Sequence, residues 1–315
     1  MKKFFIQEQA NATFLHGGVG IVDAEKILIA EGYRPLRFPY HFSFSFLAKI
    51  ARLLYLFRMS LKIPAGSVVI FIFPMHASMN RMLIDLLRRK RNVKIVCFIA
   101  DIDGLKDGDD RLLEKEIRYL RKFSHFIVHN EAMKEWLANS MGEKRVSMIE
   151  FFDFLAKPVH SPRTKSDKIV FAGNLAKSGF LSRVEALPLQ FTLYGQPVSR
   201  EMIEQSNVDY KGVYDPYELP AMLEGSFGLV WDGENVEGMG GSLGYYMQYI
   251  SHHKLSLYIL AGLPVITNCH AGSAQLVKKY GIGFCVDDLR DVKSMIDSIT
   301  EQQYQEMMFN MKLLA

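Results

Sequence analysis

The chain has 315 residues, 49% hydrophobic and 23% charged, an ordinary globular balance with room for two domains, each with its own core. A net charge of +4 is too small to argue for nucleic acid, and no run approaches the ~20 apolar residues of a membrane span. Three widely spaced cysteines (Cys97, Cys269, Cys285), with no CxxC pair, exclude a disulfide framework and read as reduced, buried thiols of a cytoplasmic protein.

The N-terminus, MKKFFIQEQANATF, turns polar after three apolar residues, so no secretory leader is expected. KKFFIQE reads as a short first strand, and VDAEKILIAEGY as a helix ending at Gly32. From Gly32 to Ile84 there are seven basic residues (Arg34, Arg37, Lys49, Arg52, Arg58, Lys62, Arg81) and no Asp or Glu, and RRKRN follows at Arg88–Asn92. Within that stretch FSFLAKIARLLYLFRMSLKIP predicts a helix with apolar Phe46, Leu47, Ile50, Leu53, Leu54 and Phe57 and basic Lys49, Arg52 and Arg58. Two arrangements suit it: a core-facing helix with a solvated basic face, or a peripheral membrane contact through residues 46–62 on anionic headgroups.

Next come the apolar strand SVVIFIFP, the helix SMNRMLIDLLRRKR, the strand VKIVCFIADI, the helix LEKEIRYLRKF, the strand HFIVHN and the helix EAMKEWLANSMG. Fully apolar strands alternating with amphipathic helices predict a parallel, doubly wound sheet. FLAKPVHSPRTKSDK, rich in Pro, Ser and Lys, has no apolar period and reads as a linker, after which the alternation restarts. Strands KIVFAGN and FTLYGQP, helix LPAMLEGS, strand FGLVWDG, helix HKLSLYILAG, strand PVITNC, helix SAQLVKKYG and strand GFCVDD follow. The expectation is two Rossmann-like α/β domains, 1–157 and 168–315, joined by a linker over 158–167 and facing a cleft. The closing helical segment VKSMIDSITEQQYQEMMFNMKLLA could pack on either domain.

Ligands of open α/β sheets bind beyond the carboxyl ends of the strands, and glycine lets the backbone approach them. Gly173 with Lys177, and Asp232 with the glycine-rich segment bearing Gly240 and Gly241, stand at such ends. The segment resembles a phosphate cradle, but without Walker or dinucleotide spacing. SHHKLSLYILAGLPVIT places His252, His253 and Lys254 at the start of a helix, where cations oppose the helix dipole. An anion shared by Lys254 and the free amides accounts for them, with Ser251 as the expected cap and the Gly262–Pro264 punctuation ending the helix.

NLAKSGFL, FGLVWDG, GGSLGYYMQYISHHKLSLYILAGLPVI, GIGFCVDDL and ADIDGLKDGDDRLLEKEIRYLRKFSHFIVHNEAMKEWL together resemble bacterial GT-B glycosyltransferases. The type is that of β-1,6-galactofuranosyltransferases and the glucosyltransferases of serine-rich adhesins. The resemblance implies a GT-B fold and transfer of a hexosyl group (galactofuranosyl, glucosyl or galactosyl) from a UDP-sugar to a lipid- or protein-linked glycan, with no cofactor beyond the donor. It implies donor contacts for Lys254 and Tyr214. Lys177 stands where the family often has arginine, Ser251 where asparagine is usual and His252 where proline is. Thr13, Gly17 and Gly18 fall near the loop facing the donor from across the cleft. Ala100 replaces the histidine of a His-Asp pair, leaving Asp101, at the end of an apolar strand, as the candidate general base. Asp101 and Asp103 could also hold a divalent ion; in this fold such a pair is more often structural, so no metal is expected. Competing expectations are a non-catalytic nucleotide-sugar-binding subunit and a sugar-nucleotide epimerase. The protein is expected to be cytoplasmic, peripheral at the inner membrane face, without nucleic-acid partners, and could be a homo-oligomer.

Overall fold

The computed structural model describes residues 1–8, 18–38, 46–196 and 199–315. Thr13 and Gly17 lie outside them.

The first half alternates β1 (Lys3–Ile6), α1 (Val19–Ala30), β2 (Arg34–Leu36), α2 (Phe46–Lys62), β3 (Val68–Phe73), α3 (Ser78–Arg88), β4 (Lys94–Ile99), α4 (Asp103–Asp107), α5 (Asp110–Leu120), β5 (His125–Val128), α6 (Glu131–Met141) and β6 (Arg145–Met148). The second half continues with β7 (Lys168–Ala172), β8 (Gln190–Tyr194), α7 (Arg200–Ile203), β9 (Val208–Gly212), α8 (Leu219–Met222), β10 (Phe227–Val230), α9 (Gly241–Tyr246), α10 (His253–Ala261), β11 (Val265–Asn268), α11 (Gly272–Tyr280), β12 (Gly283–Val286), α12 (Val292–Ser298) and α13 (Glu301–Leu314). Two six-stranded parallel sheets result, ordered β2-β1-β3-β4-β5-β6 and β12-β11-β10-β7-β8-β9. The strand order reverses between β1 and β3 in one and between β7 and β10 in the other, opening a crevice at each point. This is the expected pair of doubly wound domains.

Three strands escape the apolar pattern: RPL (β2), RVSM (β6) and VDYKG (β9). All three are sheet edges. An edge is covered less than a central strand, so its residues need not form an apolar run.

The second sheet's crevice is closed by α10. Beyond the register Phe227↔Ile169 and Gly228↔Val170 the two central strands part, and the buried Tyr258 hydroxyl fills the gap. It accepts from the Ala172 amide (3.0 Å) and donates to the Leu229 carbonyl (3.1 Å). Gly228 makes room for the ring, since a Cβ there would lie 2.4 Å from Tyr258 Cγ.

The domains meet along a polar seam. The Ile102 amide donates to the buried Tyr246 hydroxyl at 2.7 Å, and Asn130 Nδ2 to the Gln248 carbonyl at 3.0 Å. Tyr246 and Tyr249, although late in the chain, pack into the first domain's core with Leu120, Val128 and Leu137. His129 is buried at the seam: its Nδ1 accepts from the Ser251 amide at 3.1 Å, so the proton sits on Nε2 and is donated to Ala100 O at 3.1 Å. Burial pushes its pKa down to about 4, against partial relief from these backbone bonds.

The expected linker is tied down rather than free. Arg163 donates to Gly225 O and Ala261 O, and Lys165 to Ile296 O and Ile299 O, all on the second domain. The closing segment breaks at Ile299, and Thr300 and Gln303 form a capping box for α13. Tyr304 anchors that helix in the second domain's core, its hydroxyl on Ser226 O at 2.7 Å. Of the cysteines, all free, Cys97 is buried but Cys269 and Cys285 are only partly so. No helix of the described residues is long and apolar enough to cross a membrane.

Two measurements check these contacts. Tyr258→Phe leaves the buried Ala172 amide without its acceptor and should cost about 1–3 kcal/mol in denaturant unfolding; an unchanged midpoint would show that the hydroxyl holds nothing. Unfolded, His129 takes up a proton near pH 6.5; folded, it resists until about pH 4. Its contribution is therefore complete above pH 6.5 and is lost as the pH falls toward 4, on the order of 3 kcal/mol. His129→Gln should flatten the stability profile across that window.

Candidate functional site

A cleft of about 260 Å³ lies over the carboxyl ends of β7 and β8. Gly173 and Asn174 after β7 and Gly195 after β8 form its floor; Tyr214, Pro216 and Leu219 form one wall; His253, Lys254 and Leu257 of α10 form another. Gly18, Val19 and Gly20 at the start of α1, with Phe154, close it from the far side. The glycines are spatial requirements. Gly195, at φ +147°, would drive a Cβ to 1.8 Å from the Gly173 carbonyl oxygen, and Gly173, at φ +153°, would place one 2.9 Å from Lys254 Cε.

The three basic residues at the helix start have separate roles. Lys254 Nζ lies 2.8 Å from Asp232 Oδ1 and 4.3 Å from the centre of the Phe171 ring. The buried His252 puts Nε2 3.3 Å from Asp232 Oδ2 and Nδ1 3.1 Å from Ser273 Oγ. His253 reaches back to the Asp153 carbonyl at 3.2 Å and packs on Phe154, and burial lowers its pKa. Burial alone would raise the Asp232 carboxyl, but Lys254 and His252 outweigh it and hold it well below the usual carboxylate range. Asp232 is thus an internal counter-ion, which makes the Lys254 ammonium tolerable at a helix N-terminus.

Ser251 is not the cap. His252 occupies that position without a side-chain cap bond, while Ser251 Oγ donates to Glu150 O at 3.1 Å, away from the cleft. The start of α10 consequently presents Lys254 beside amides that no side chain caps, the arrangement that favours an anion.

Gly18 and Tyr214 line the cleft; Lys177 is exposed in the turn after Asn174 and does not line it. Gly240 and Gly241 do not cradle it either. They lead into α9, which packs on α4 of the first domain, and Gly240 must be small because a Cβ would meet Asn235 Nδ2 at 2.4 Å. Asp101 lies outside the cleft. Lys106 Nζ sits 2.9 Å from Asp101 Oδ2 and 2.6 Å from Asp103 Oδ1. Burial opposes the Lys106 charge, but the two carboxylates push its pKa up to about 12. The Asp-x-Asp pair is a staple around an internal lysine, and the candidate base points to that lysine. Gly195, Pro216, Leu219 and Phe154 went unnoticed in sequence. Gly195 alone carried a signal, a glycine directly after an apolar strand.

Two facing doubly wound domains, with a glycine floor and a lysine at a helix start on one side, define the class as a GT-B glycosyltransferase. Comparison with known proteins agrees. The chain matches the sequence model of the glucosyltransferase 3-like C-terminal domain over residues 169–315 and that of the N-terminal domain over 16–149. It is 31% identical to the β-1,6-galactofuranosyltransferase WbbI of Escherichia coli (strain K12) over 256 residues, 79% of this chain and 74% of that protein. It is 29% identical to glucosyltransferase 3 of Streptococcus gordonii over 219 residues, 68% of this chain and 63% of that protein. Among solved structures, Anabaena HepE in complex with UDP and glucose superposes over all of this chain and 94% of its own, with a TM-score of 0.63 at 14% identity. The chain belongs to the glucosyltransferase 3-like family of glycosyltransferases.

Gly195→Ala should destabilise the protein by about 2–4 kcal/mol, because backbone must move to admit the methyl group. Thermal unfolding compared with Gly212→Ala, whose Cβ would meet nothing within 4 Å although its φ is also positive, separates the clash from the backbone strain.

Proposed function

We propose that the protein transfers a hexosyl group, galactofuranosyl, glucosyl or galactosyl, from a UDP-sugar to a lipid- or protein-linked glycan in the cytoplasm, without a metal ion. The observation that carries this reading is Lys254, held at the uncapped start of α10 beside the Gly173 floor. The name of WbbI and the UDP bound in HepE support it.

A leaving nucleoside diphosphate gathers negative charge as the glycosidic bond to the sugar breaks. Fixed donors aimed at that charge lower the barrier, because they need no reorganisation when it develops. Lys254 would exchange the Asp232 carboxylate for the diphosphate, and the first amides of α10 would share the load. Tyr214 and Pro216 of the cleft wall would offer faces for a base, and Gly18 would let the first domain's backbone approach the transferred sugar. The domain seam excludes water from one side, which limits hydrolysis of the donor.

Titration calorimetry with UDP in the presence of EDTA tests the reading. Wild type should bind, and Lys254→Ala should lose roughly tenfold or more in affinity, since a charge-assisted hydrogen bond contributes about 1.5–3 kcal/mol. A folded wild type with no affinity for UDP would sink a UDP-dependent transferase, and binding that appears only with added metal would remove metal independence. Binding without transfer to any glycan acceptor would point to a binding subunit. Conversion of a nucleotide sugar without acceptor would point to an epimerase.

A further inference from the structure

Helix α2 is built the wrong way round for a core element. Phe46, Leu47, Ile50, Leu53, Leu54, Phe57 and Leu61 are all exposed, from 40% for Ile50 to 77% for Leu47. At helical spacing they fill one arc of roughly 120°. The residues that fasten the helix to the domain, Leu56 and Met59 with Ile63 just beyond, lie on the opposite arc and join the core beside Leu83 and Leu87 of α3. Nothing among the described residues covers the outer arc. Scattered exposed apolar side chains are ordinary, but seven along one face of one helix are not.

The borders of that arc name its occupant. Arg58 and Lys62 flank it on one side and Lys49 on the other, all three exposed, and no acidic residue occurs from Gly32 to Ile84. The neighbouring α3 adds exposed Met82, Leu86, Arg81 and Arg88. A second copy of the chain docking face to face would set these basic rims against each other, and the carboxylate beside them, Asp85 of α3, is already paired with Lys122 at 3.1 Å. A bilayer surface carrying anionic headgroups meets both features: it takes the apolar arc to the headgroup–acyl boundary, about 5–10 Å deep, and pairs the flanking cations with phosphates.

We propose that α2 is an in-plane anchor that docks the first domain on an anionic lipid bilayer. Its meaning, delivery of a lipid-borne acceptor to the cleft, rests on the transferase reading; the docking surface itself does not.

Co-sedimentation of the full chain, without nucleotide, with vesicles of phosphatidylglycerol and phosphatidylcholine in equal parts tests it. Wild type should pellet, less with pure phosphatidylcholine and less at high salt. Leu54→Glu/Phe57→Glu should lose about tenfold or more in vesicle affinity, and Lys49→Gln/Arg58→Gln/Lys62→Gln should lose a similar factor together with the salt dependence. Cooperative melting like wild type shows that each variant has folded; if the Glu pair does not fold, the Gln set decides. Wild type remaining in the supernatant, or the folded variants pelleting as well as wild type, would overturn the proposal. So would concentration-dependent self-association that Leu54→Glu/Phe57→Glu abolishes, because a second copy would then cover the arc. None of these readouts needs UDP, so failure here leaves the donor-site reading standing, and loss of UDP binding leaves the anchor standing.

Discussion

The site depends on α10 being held across the gap where β7 and β10 part. A parallel sheet whose strand order reverses leaves two strand ends with unpaired backbone groups, and buried amides must find partners. Tyr258 answers that demand with one hydroxyl, accepting from Ala172 and donating to Leu229. Lys254 stands one helical turn earlier on the same face, so the peg that closes the sheet also aims the ammonium at the strand ends. Structure and function share this fastening: a change that loosens the tyrosine moves the lysine.

Charge is managed by the same economy of parts. A lysine at a helix start opposes the dipole, yet Asp232 sits between Lys254 and His252 and balances the ammonium before any ligand arrives. Any anion that sought Lys254 would have to compete with an internal carboxylate, which favours strongly charged anions over weak ones. Across the seam, His129 joins the end of β5 to Ser251, two residues before α10, so the first domain reads the position of the helix through a neutral imidazole. A residue far from the cleft thereby shares in setting where Lys254 lies.

Much of this was legible in sequence, and the residues show why. Central strands such as VVIFIF are covered on both faces and cannot disguise themselves, whereas the edge strands RPL, RVSM and VDYKG could not be seen. Lys254 was legible because a cation at a helix start is locally unfavourable and needs a reason. For Asp101 the sequence showed a carboxylate at a strand end but not the lysine five residues on that it pairs with. Around Gly240 the glycines pack closely against their own loop, Gly240 on Asn235 and Gly244 on Met239 and Asp232, a partnership their spacing does not reveal. In α2 the amphipathic period was plain, but which arc faces inward was not.

The sequence alone determined the two doubly wound domains, the helix punctuation at Gly262 and Pro264, and the presence of a basic helix start, because each follows from local periodicity, turn chemistry or residue type. The tertiary structure alone decided that Asp232 neutralises that start, that Lys106 claims Asp101 and Asp103, that α9 belongs to the first domain's core, and that the apolar face of α2 points outward. Each of these turns on which distant segment lies within a few ångströms, and contacts between residues far apart in the chain leave no mark in the spacing of either one.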